Sequence, residues 1–230
     1  MTLLPDWVKN GYLRLIDPVA DWLVARRVHP NSITVFGTVC TVVGGIIYAT
    51  GHIKTGGWFL SITALFDVLD GTVARRSNRS STFGAFLDST LDRVADGFVL
   101  GGLAVFYATS TLHHSIPLMI TSLLGLLAAF LTSYTRARAE ALGLDAKVGM
   151  LQRPERVVLM AAPQALFGLF FNGWPLAIII VILTVTAWIT VIQRVAYVYG
   201  ATTRAEVSRA RTDAGASPEA VPVDVHRALV

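Results

Sequence analysis

Four aspartates lie close together within a chain that is otherwise rich in apolar residues: Asp67, Asp70, Asp88 and Asp92. A carboxylate in a membrane-spanning helix costs at least ~2.5 kcal/mol unless it faces a polar cavity, a partner or a metal. The spacings i, i+3 and i, i+4 place each pair on one face of a helix, so the two faces can converge. The four acids therefore predict a single functional site.

The ligand atoms of this site indicate its chemistry. Carboxylate oxygens without His or Cys suit Mg²⁺ or Mn²⁺ better than zinc. Gly71 and Ala74 lie beside the acids, where small residues would let a substrate approach the backbone closely. Arg75 lies one turn beyond Gly71 and can contact a phosphate. Metal and phosphate chemistry are thus predicted together.

The acids belong to a longer pattern, D-x2-D-G-x2-A-R-x8-G-x3-D-x3-D, which runs from Asp67 to Asp92. This string resembles the signature of the CDP-alcohol phosphotransferase family. The resemblance implies a six-helix membrane fold, usually homodimeric, that transfers a substituted phosphate from a CDP-linked donor to an alcohol and releases CMP. It also implies that Asp67, Asp70 and Asp88 hold two divalent cations, Mg²⁺ or Mn²⁺. Asp92 would contribute to the second ion and act as general base.

Further residues are predicted to form the donor site. By the resemblance, Gly71 and Arg75 line the nucleotide, and residues 30–34 resemble a segment that contributes to CDP-lipid binding in bacterial members. Asn31 also has the chemistry of an N-cap for the first span. Ser81 lies in a polar loop and is a weaker candidate. The donor candidates are Asn31, Ser32, Ile33, Thr34, Gly71, Ala74, Arg75 and Ser81.

A second basic cluster follows at residues 133–140 and 152–156, and Arg194 ends the last predicted span. Guanidinium groups bind phosphate oxygens in a bidentate fork, which favours an anionic acceptor. The alternative is that these arginines only satisfy the positive-inside rule and attract anionic lipid. The segments 133–140 and 152–156 resemble the corresponding segments of bacterial family members that use CDP-diacylglycerol as donor and inositol phosphate as acceptor. Glycerol phosphate is the alternative acceptor. The acceptor candidates are Ser133, Arg136, Arg153 and Arg194.

The composition is that of a membrane protein, with 53% hydrophobic and 15% charged residues. Three apolar segments of spanning length are predicted at 32–51, 58–75 and 83–106. The segments 98–135 and 157–193 are too long for single spans, and turn residues at 113–117 and 172–175 divide them. The predicted fold is therefore an all-α integral membrane protein with six transmembrane helices.

The distribution of basic residues predicts the orientation. Of the 19 Lys and Arg residues, only Lys54 falls in a loop opposite the others, so both termini and the acidic site should face the cytoplasm of a bacterial cell. Residues 1–30 are predicted as an amphipathic interfacial helix, 31–199 as the membrane domain and 200–230 as a polar tail. The expected partners are the bilayer and lipid substrates, with no nucleic acid.

A different function remains open at this stage. A divalent-cation transporter could also use a ring of intramembrane carboxylates. The spacing of Gly71, Ala74, Arg75 and Gly84 disfavours this alternative, because ion passage does not require a phosphate site.

Overall fold

The structure, a computed structural model, describes residues 6–146, 148–149 and 153–213. In chain order the helices are α1 Asp6–Ala25, α2 Pro30–Ala49, α3 Ile53–Thr63, α4 Phe66–Arg76, α5 Thr82–Thr109, α6 Ile116–Ala141, α7 Arg153–Phe167 and α8 Trp174–Asp213. A short 3₁₀ turn, Phe171–Gly173, precedes α8. No strand occurs within these described ranges, and the all-α prediction is confirmed.

Four stretches are long and apolar enough to cross a membrane: Pro30–Ala49, Ile53–Arg76, Ile116–Ala141 and Phe171–Arg204. They correspond to four of the six predicted spans. α5 has 28 residues, about 42 Å at the usual helical rise, but it carries several charged side chains. α7 has 15 residues, about 22 Å. Length and apolarity together thus establish a multi-pass helical membrane protein with at least four such stretches.

The second predicted span is broken. α3 ends at Thr63 and α4 begins at Phe66, with a turn at Ala64 and Leu65 between them. The span predicted at 58–75 is confirmed in length and apolarity, because Ile53–Arg76 is long and apolar enough to cross a membrane, but it consists of two helices rather than one. Ala and Leu are strong helix formers and gave no breaker signal. The break places Asp67 in the first turn of a new helix, where the backbone N–H groups favour a negative charge.

The first spanning helix begins with a cap that differs from the predicted one. His29 is the N-cap, and its Nδ1 accepts a hydrogen bond from the Asn31 N–H at 3.2 Å. Pro30 takes the first helical position, where its missing N–H costs nothing. Asn31 already lies inside the helix, so its prediction as the N-cap is wrong.

α2 and α5 run parallel and touch through their backbones. A Cβ atom added at Gly102 would lie 2.1 Å from the carbonyl oxygen of Gly45, and one added at Gly45 would lie 2.4 Å from that of Phe98. Glycines allow this approach, which brings membrane helices into close van der Waals contact. The parallel packing also places the start of α2 beside the start of α5, where the acids lie.

α6 and α8 also run parallel, and α3 and α7 run antiparallel. The first pair meets where a Cβ at Gly125 would lie 2.6 Å from the Thr184 hydroxyl. The second pair meets where a Cβ at Gly57 would lie 2.4 Å from the backbone nitrogen of Ala165. We call the end of the bundle that carries the four motif aspartates the acidic end.

α1 packs against α4 at the acidic end. Ile16 and Ala20 are buried in a cluster with Leu69 and Val73. Arg76 at the end of α4 forms ion pairs with Asp17 and, at 2.5 Å, with Asp21. The side chains of residues 6–15, which belong to the predicted amphipathic helix, lie outside the described part of the structure.

The opposite side of α1 exposes apolar groups. Trp22 is 55% exposed and Val19 is 46% exposed. The Arg26 guanidinium lies over the Trp22 ring, 5.2 Å from its centroid. At the other terminus, α8 continues through the predicted boundary at residue 200 as far as Asp213, and the predicted tail from 214 onward lies outside the described residues.

Candidate active site

Asp70 is deeply buried on α4, one turn after Asp67. The Thr34 hydroxyl of α2 and the backbone N–H of Gly71 face its carboxylate. Its Oδ2 atom is buried and has no hydrogen-bond partner within the described part of the chain. Because a buried and unsatisfied carboxylate oxygen is costly, Asp70 has a lone pair available for a ligand.

The structure brings two further acids towards Asp70. The negative charges of Asp88 and Asp67 both act on its carboxylate, so the acid-bearing faces of α4 and α5 meet. Among the described residues, no three His, Cys, Asp or Glu side chains are gathered closely enough to hold a metal ion. The acids are therefore neighbours without forming a closed coordination sphere.

The chemistry of these acids fits a divalent cation of the hard type. Their oxygens are the ligands that Mg²⁺ and Mn²⁺ prefer. The Oδ2 atom of Asp70 has no hydrogen bond that would compete for the ion. A cation between the carboxylates would offset their mutual repulsion. The residues present are thus suited to such an ion.

Asp92 has a basic neighbour, Arg93, that was not selected from the sequence. The Arg93 Nη2 atom lies 3.8 Å from Asp92 Oδ2. The Nη1 atom donates to the Ala129 carbonyl on α6 at 3.1 Å and also to the Ser133 hydroxyl. Ser133, a predicted acceptor residue, is therefore engaged by Arg93. Arg93 ties α5 to α6 directly beside Asp92.

Two predicted donor residues surround the start of α5. Ser81 caps this helix, and its Oγ accepts a hydrogen bond from the Gly84 N–H at 3.0 Å. A Cβ added at Gly84 would lie 3.1 Å from that Oγ and 3.2 Å from the Asn31 Oδ1. Only a small residue fits between them. Asn31 and Ser81 therefore present polar atoms on both sides of Gly84, at the acidic end.

The other donor candidates on α2 differ in their accessibility. Ser32 is exposed, and Thr34 faces Asp70. Ile33 is buried in the cluster that holds α1, α2 and α4 together. A ligand cannot reach the Ile33 side chain in this packing, so a donor contact at this residue is restricted to its backbone.

Arg75 lies over Gly71. Its Nη1 atom is 3.3 Å from the position that a Cβ at Gly71 would occupy, and its Nη2 atom donates to the Thr72 hydroxyl at 3.3 Å. The missing side chain at Gly71 leaves room for an exposed guanidinium one turn from Asp70. Ala74 is half-buried on the same helix. This arrangement can bring a phosphate next to the acids.

Arginines from three helices approach one another at the acidic end. Arg194 of α8 donates from Nε to the Val148 carbonyl at 3.0 Å and from Nη1 to the Thr132 carbonyl. The positive charges of Arg136 and Arg156 act on Arg194. A concentration of like charge around a partly enclosed space favours an anionic ligand.

The predicted acceptor arginines contribute unequally to this group. The Arg136 Nε donates to Glu140 at 2.9 Å, and this pair is about half exposed. The side chain of Arg153 lies outside the described part of the structure. Arg156 belongs to the same basic string but was not selected from the sequence. The structure places it nearest to the interior, because it lines the central cavity.

A cavity of about 80 Å³ lies inside the bundle between the acids and the arginines. Helices α2 to α8 all contribute to its walls, which are mostly apolar. The polar residues that line it are Thr41, Thr63, Asp67, Asp96, Arg156 and Thr184. Asp67, a candidate metal ligand, and Arg156, which can bind a phosphate, therefore line the same cavity.

Asp96 is a second cavity residue that sequence reasoning missed. It lies one turn beyond Asp92 on α5 and outside the motif. The signal that could have identified it was the same as for the motif acids, namely a carboxylate in a predicted span. The interpretation stopped at the last acid of the motif.

The fold and the paired acids define an integral membrane enzyme that handles phosphate groups. A model of the CDP-alcohol phosphatidyltransferase family matches residues 27–193. The chain belongs to this family and is an enzyme of it, as the motif predicted.

Relatives of known name cover most of the chain. A phosphatidylinositol phosphate synthase of Mycobacteroides abscessus is 37% identical over 187 residues, covering 81% of this chain and 84% of that protein. An archaetidylinositol phosphate synthase of Methanothermobacter thermautotrophicus is 38% identical over 186 residues, covering 81% and 89%.

Solved structures are similar as well. The crystal structure of Mycobacterium tuberculosis phosphatidylinositol phosphate synthase with CDP-DAG bound has a TM-score of 0.73 and 33% identity, covering 81% of this chain and 94% of that one. The same synthase in complex with manganese and citrate has a TM-score of 0.71 and 33% identity, covering 80% and 88%.

Proposed function

We propose that this enzyme transfers the phosphatidyl group of CDP-diacylglycerol to inositol phosphate, giving phosphatidylinositol phosphate and CMP. The observation that carries the proposal is that Asp67 and Arg156 line one cavity. One motif acid and one arginine of the basic group therefore open onto a common space, where a metal-bound donor and an anionic acceptor can meet. The names of the similar synthases support the choice of substrates.

In the proposed reaction the acceptor hydroxyl attacks the phosphorus that bears diacylglycerol. The bond from that phosphorus to the CMP oxygen breaks in line, CMP leaves, and Asp92 takes the hydroxyl proton. No separate nucleophile is required. Two divalent cations, Mg²⁺ or Mn²⁺, would neutralise the diphosphate and the charge that develops on CMP. The residues that would hold them are Asp67, Asp70, Asp88 and Asp92.

The donor and acceptor are assigned to opposite sides of the acids. The donor nucleotide would lie at the start of α2 and α5, near Asn31, Ser81, Gly71 and Arg75. The acceptor phosphate would lie among the arginines of α6, α7 and α8. Arg136, Arg153 and Arg194 keep their predicted place there, and Arg156 joins them.

The proposed membrane arrangement is that of a six-span protein in the cytoplasmic membrane of a bacterium, with both termini and the acidic end inside. α5 and α7 would be the two additional spans. The charges of α5 would face the cavity rather than lipid. α7 ends at Phe167, where Gly168 takes a positive φ of 56° and leaves the helix. A homodimer is proposed from the family resemblance.

Two alternatives were considered. Membership of an enzyme family excludes the divalent-cation transporter as the main function. Glycerol phosphate remains the alternative acceptor, because it is also anionic and charge alone does not separate the two. The two named relatives differ in the lipid part of their names and share the inositol phosphate part, which favours inositol phosphate.

The proposal is tested by release of labelled CMP from CDP-diacylglycerol by the purified protein with Mg²⁺ or Mn²⁺. The acceptors to compare are inositol phosphate, free inositol, glycerol phosphate and serine. We expect CMP release that requires a divalent cation and is fastest with inositol phosphate. Preference for glycerol phosphate would support the alternative, and CMP release that no acceptor stimulates would contradict both.

A further inference from the structure

Asp96 is a buried carboxylate within the bundle that the proposed reaction does not use. Its side chain is 17% exposed, and it continues the row of acids on α5 at the spacing i, i+4 from Asp92. Like the motif acids, it needs a compensating interaction, because a charge inside a membrane bundle is costly.

The nearest cation satisfies this charge only in part. The Arg93 Nη1 atom lies 3.4 Å from Asp96 Oδ2, but that oxygen is buried and makes no hydrogen bond within the described residues. The hydrogen bonds of Arg93 Nη1 go instead to the Ala129 carbonyl and the Ser133 hydroxyl of α6. Asp96 therefore retains hydrogen-bonding capacity.

Asp96 and three hydroxyl groups line the central cavity, and all of them can accept hydrogen bonds from a ligand. Thr41, Thr63 and Thr184 direct their own hydroxyl hydrogens to helix carbonyls, which leaves oxygen lone pairs for a ligand. The receiving carbonyls are those of Gly37, Leu60 and Thr121, at 3.0, 3.0 and 3.2 Å. The Thr41 hydroxyl also lies 3.3 Å from the Thr63 oxygen, which has a second lone pair. The cavity is thus suited to a ligand that donates several hydrogen bonds.

We propose that Asp96 accepts a hydrogen bond from a ring hydroxyl of the acceptor and so makes the enzyme select a polyhydroxylated ring over glycerol phosphate. Arg156 lines the same cavity and would take the acceptor phosphate, so the ring would extend between the two residues. Glycerol phosphate has only two hydroxyl groups, on adjacent carbons of a flexible chain. The rigid ring carries five hydroxyl groups around its rim and can present one to Asp92 and another to Asp96, whose Cβ atoms are about 5–6 Å apart at this helical spacing. The inference rests on the proposed function and assigns the part of its acceptor site that determines specificity.

The test compares Asp96→Ala with the unchanged enzyme, using inositol phosphate and glycerol phosphate as separate acceptors. A lost hydrogen bond to a charged group is worth about 1.5–3 kcal/mol, so kcat/KM for inositol phosphate should fall roughly 10- to 150-fold. The value for glycerol phosphate should stay the same or rise, and KM for CDP-diacylglycerol should not change. Equilibrium binding of inositol phosphate, measured by calorimetry without donor, should weaken to a similar extent.

A purely structural role for Asp96 makes a different prediction. If Asp96 served only to hold Arg93, then Arg93→Gln should cause the same change in acceptor preference, and Asp96→Ala should add nothing to it. We expect the preference change to persist in the Arg93→Gln background, as a double-mutant cycle would show. An equal loss with both acceptors, an unchanged preference, or full reproduction by Arg93→Gln would each overturn the proposal.

Two controls distinguish a wrong Asp96 assignment from misfolding of the variant and from failure of the proposed function. If Asp96→Ala does not fold, Asp96→Asn carries the same test, because a neutral amide oxygen is the weaker acceptor and preserves the side-chain volume. If the unchanged enzyme does not use inositol phosphate, the proposed function has failed. A normal preference in the unchanged enzyme with no selective loss in the variants would contradict the Asp96 assignment alone.

Discussion

At the level of single residues, Asp92 differs from the other motif acids in its surroundings. Asp70 is enclosed by α2 and α4, and the negative charges of Asp67 and Asp88 act on its carboxylate. Asp92 lies beside Arg93, which ties α5 to α6. Arg93 also binds the Ser133 hydroxyl of α6, so Asp92 is the motif acid on the side of the proposed acceptor arginines, where a bound hydroxyl could transfer its proton to it.

We expect Asp92→Asn to lower the turnover rate by ~10²-fold or more, the scale of losing a general base. Binding of CDP-diacylglycerol should remain detectable, because Asp92 is assigned the lesser metal role. The measurements are CMP release at saturating substrate and retention of labelled donor. Near-normal turnover would remove Asp92 from the mechanism.

Asp67→Asn is the matched comparison for Asp92→Asn. Asp67 is expected to serve both ions, so its loss should abolish metal-dependent donor binding as well as turnover. If the two variants bind donor equally well, the assigned division of roles is wrong.

Much of the candidate site was predictable because its residues lie close together in the chain. The motif lies within one short window, and helical spacing alone indicates that Asp67, Asp70, Asp88 and Asp92 can face one another. Arg156 was missed because its proximity to the acids is tertiary. Asp96 continues their spacing on α5 and was missed because the interpretation stopped at the last acid of the motif. Hydropathy and spacing cannot show which charges from distant helices share a cavity.

At the level of helices, the packing depends on backbone contacts that need glycine at particular positions. The parallel pair α2 and α5 carries the donor candidates of residues 31–34, with Ser81 as the cap of α5, and the second pair of acids. Its crossing at Gly45 and Gly102 leaves no room for a side chain. The crossing therefore determines how closely the start of α2 approaches the acids of α5.

We expect Gly102→Ala to destabilise the protein, because its Cβ would lie 2.1 Å from the Gly45 carbonyl oxygen and the two helices would have to separate. Overpacking of this kind costs about 1–3 kcal/mol. The melting temperature in detergent should fall, and metal-dependent activity should decline with it.

Gly101→Ala provides the control at the adjacent position. A Cβ there meets nothing within 4 Å, and alanine is favoured over glycine inside a helix. Its melting temperature should stay the same or rise. A decrease of equal size in both variants would mean that the effect arises from an intermolecular contact of this helix rather than from the crossing.

The element boundaries show where sequence reasoning has limits. The apolar segments were correctly identified as helices because their length and composition match the hydrocarbon core. The break at Ala64 and Leu65 was not predicted, since neither residue disfavours a helix. The cap at His29 was missed because the preferred cap chemistry of Asn31 was given precedence. The His29 ring takes the cap through a local hydrogen bond from the Asn31 N–H, with Pro30 at the first helical position.

At the level of the whole molecule, the parallel and antiparallel packing brings the donor residues, the acids and the arginines to one end. The opposite end carries the loop around Leu112, His113 and His114, and the turn that contains Asn172. Lys54 lies near that end, whereas, among the residues that the structure describes, Arg75, Arg76, Arg136 and Arg194 lie at the acidic end. The positive-inside rule favours the proposed orientation, with the acidic end in the cytoplasm.

This orientation predicts which engineered thiols are accessible from outside the cell. Cys40 is the single cysteine, so Cys40→Ala gives a background free of thiols. Leu112 is 87% exposed, and Leu112→Cys should react with a membrane-impermeant maleimide in intact bacterial cells. Ser80→Cys, in the exposed loop between α4 and α5, should react only after the membrane is permeabilised. CMP release by both variants confirms that they are folded, and the reverse labelling pattern would place the acidic end outside and contradict the orientation.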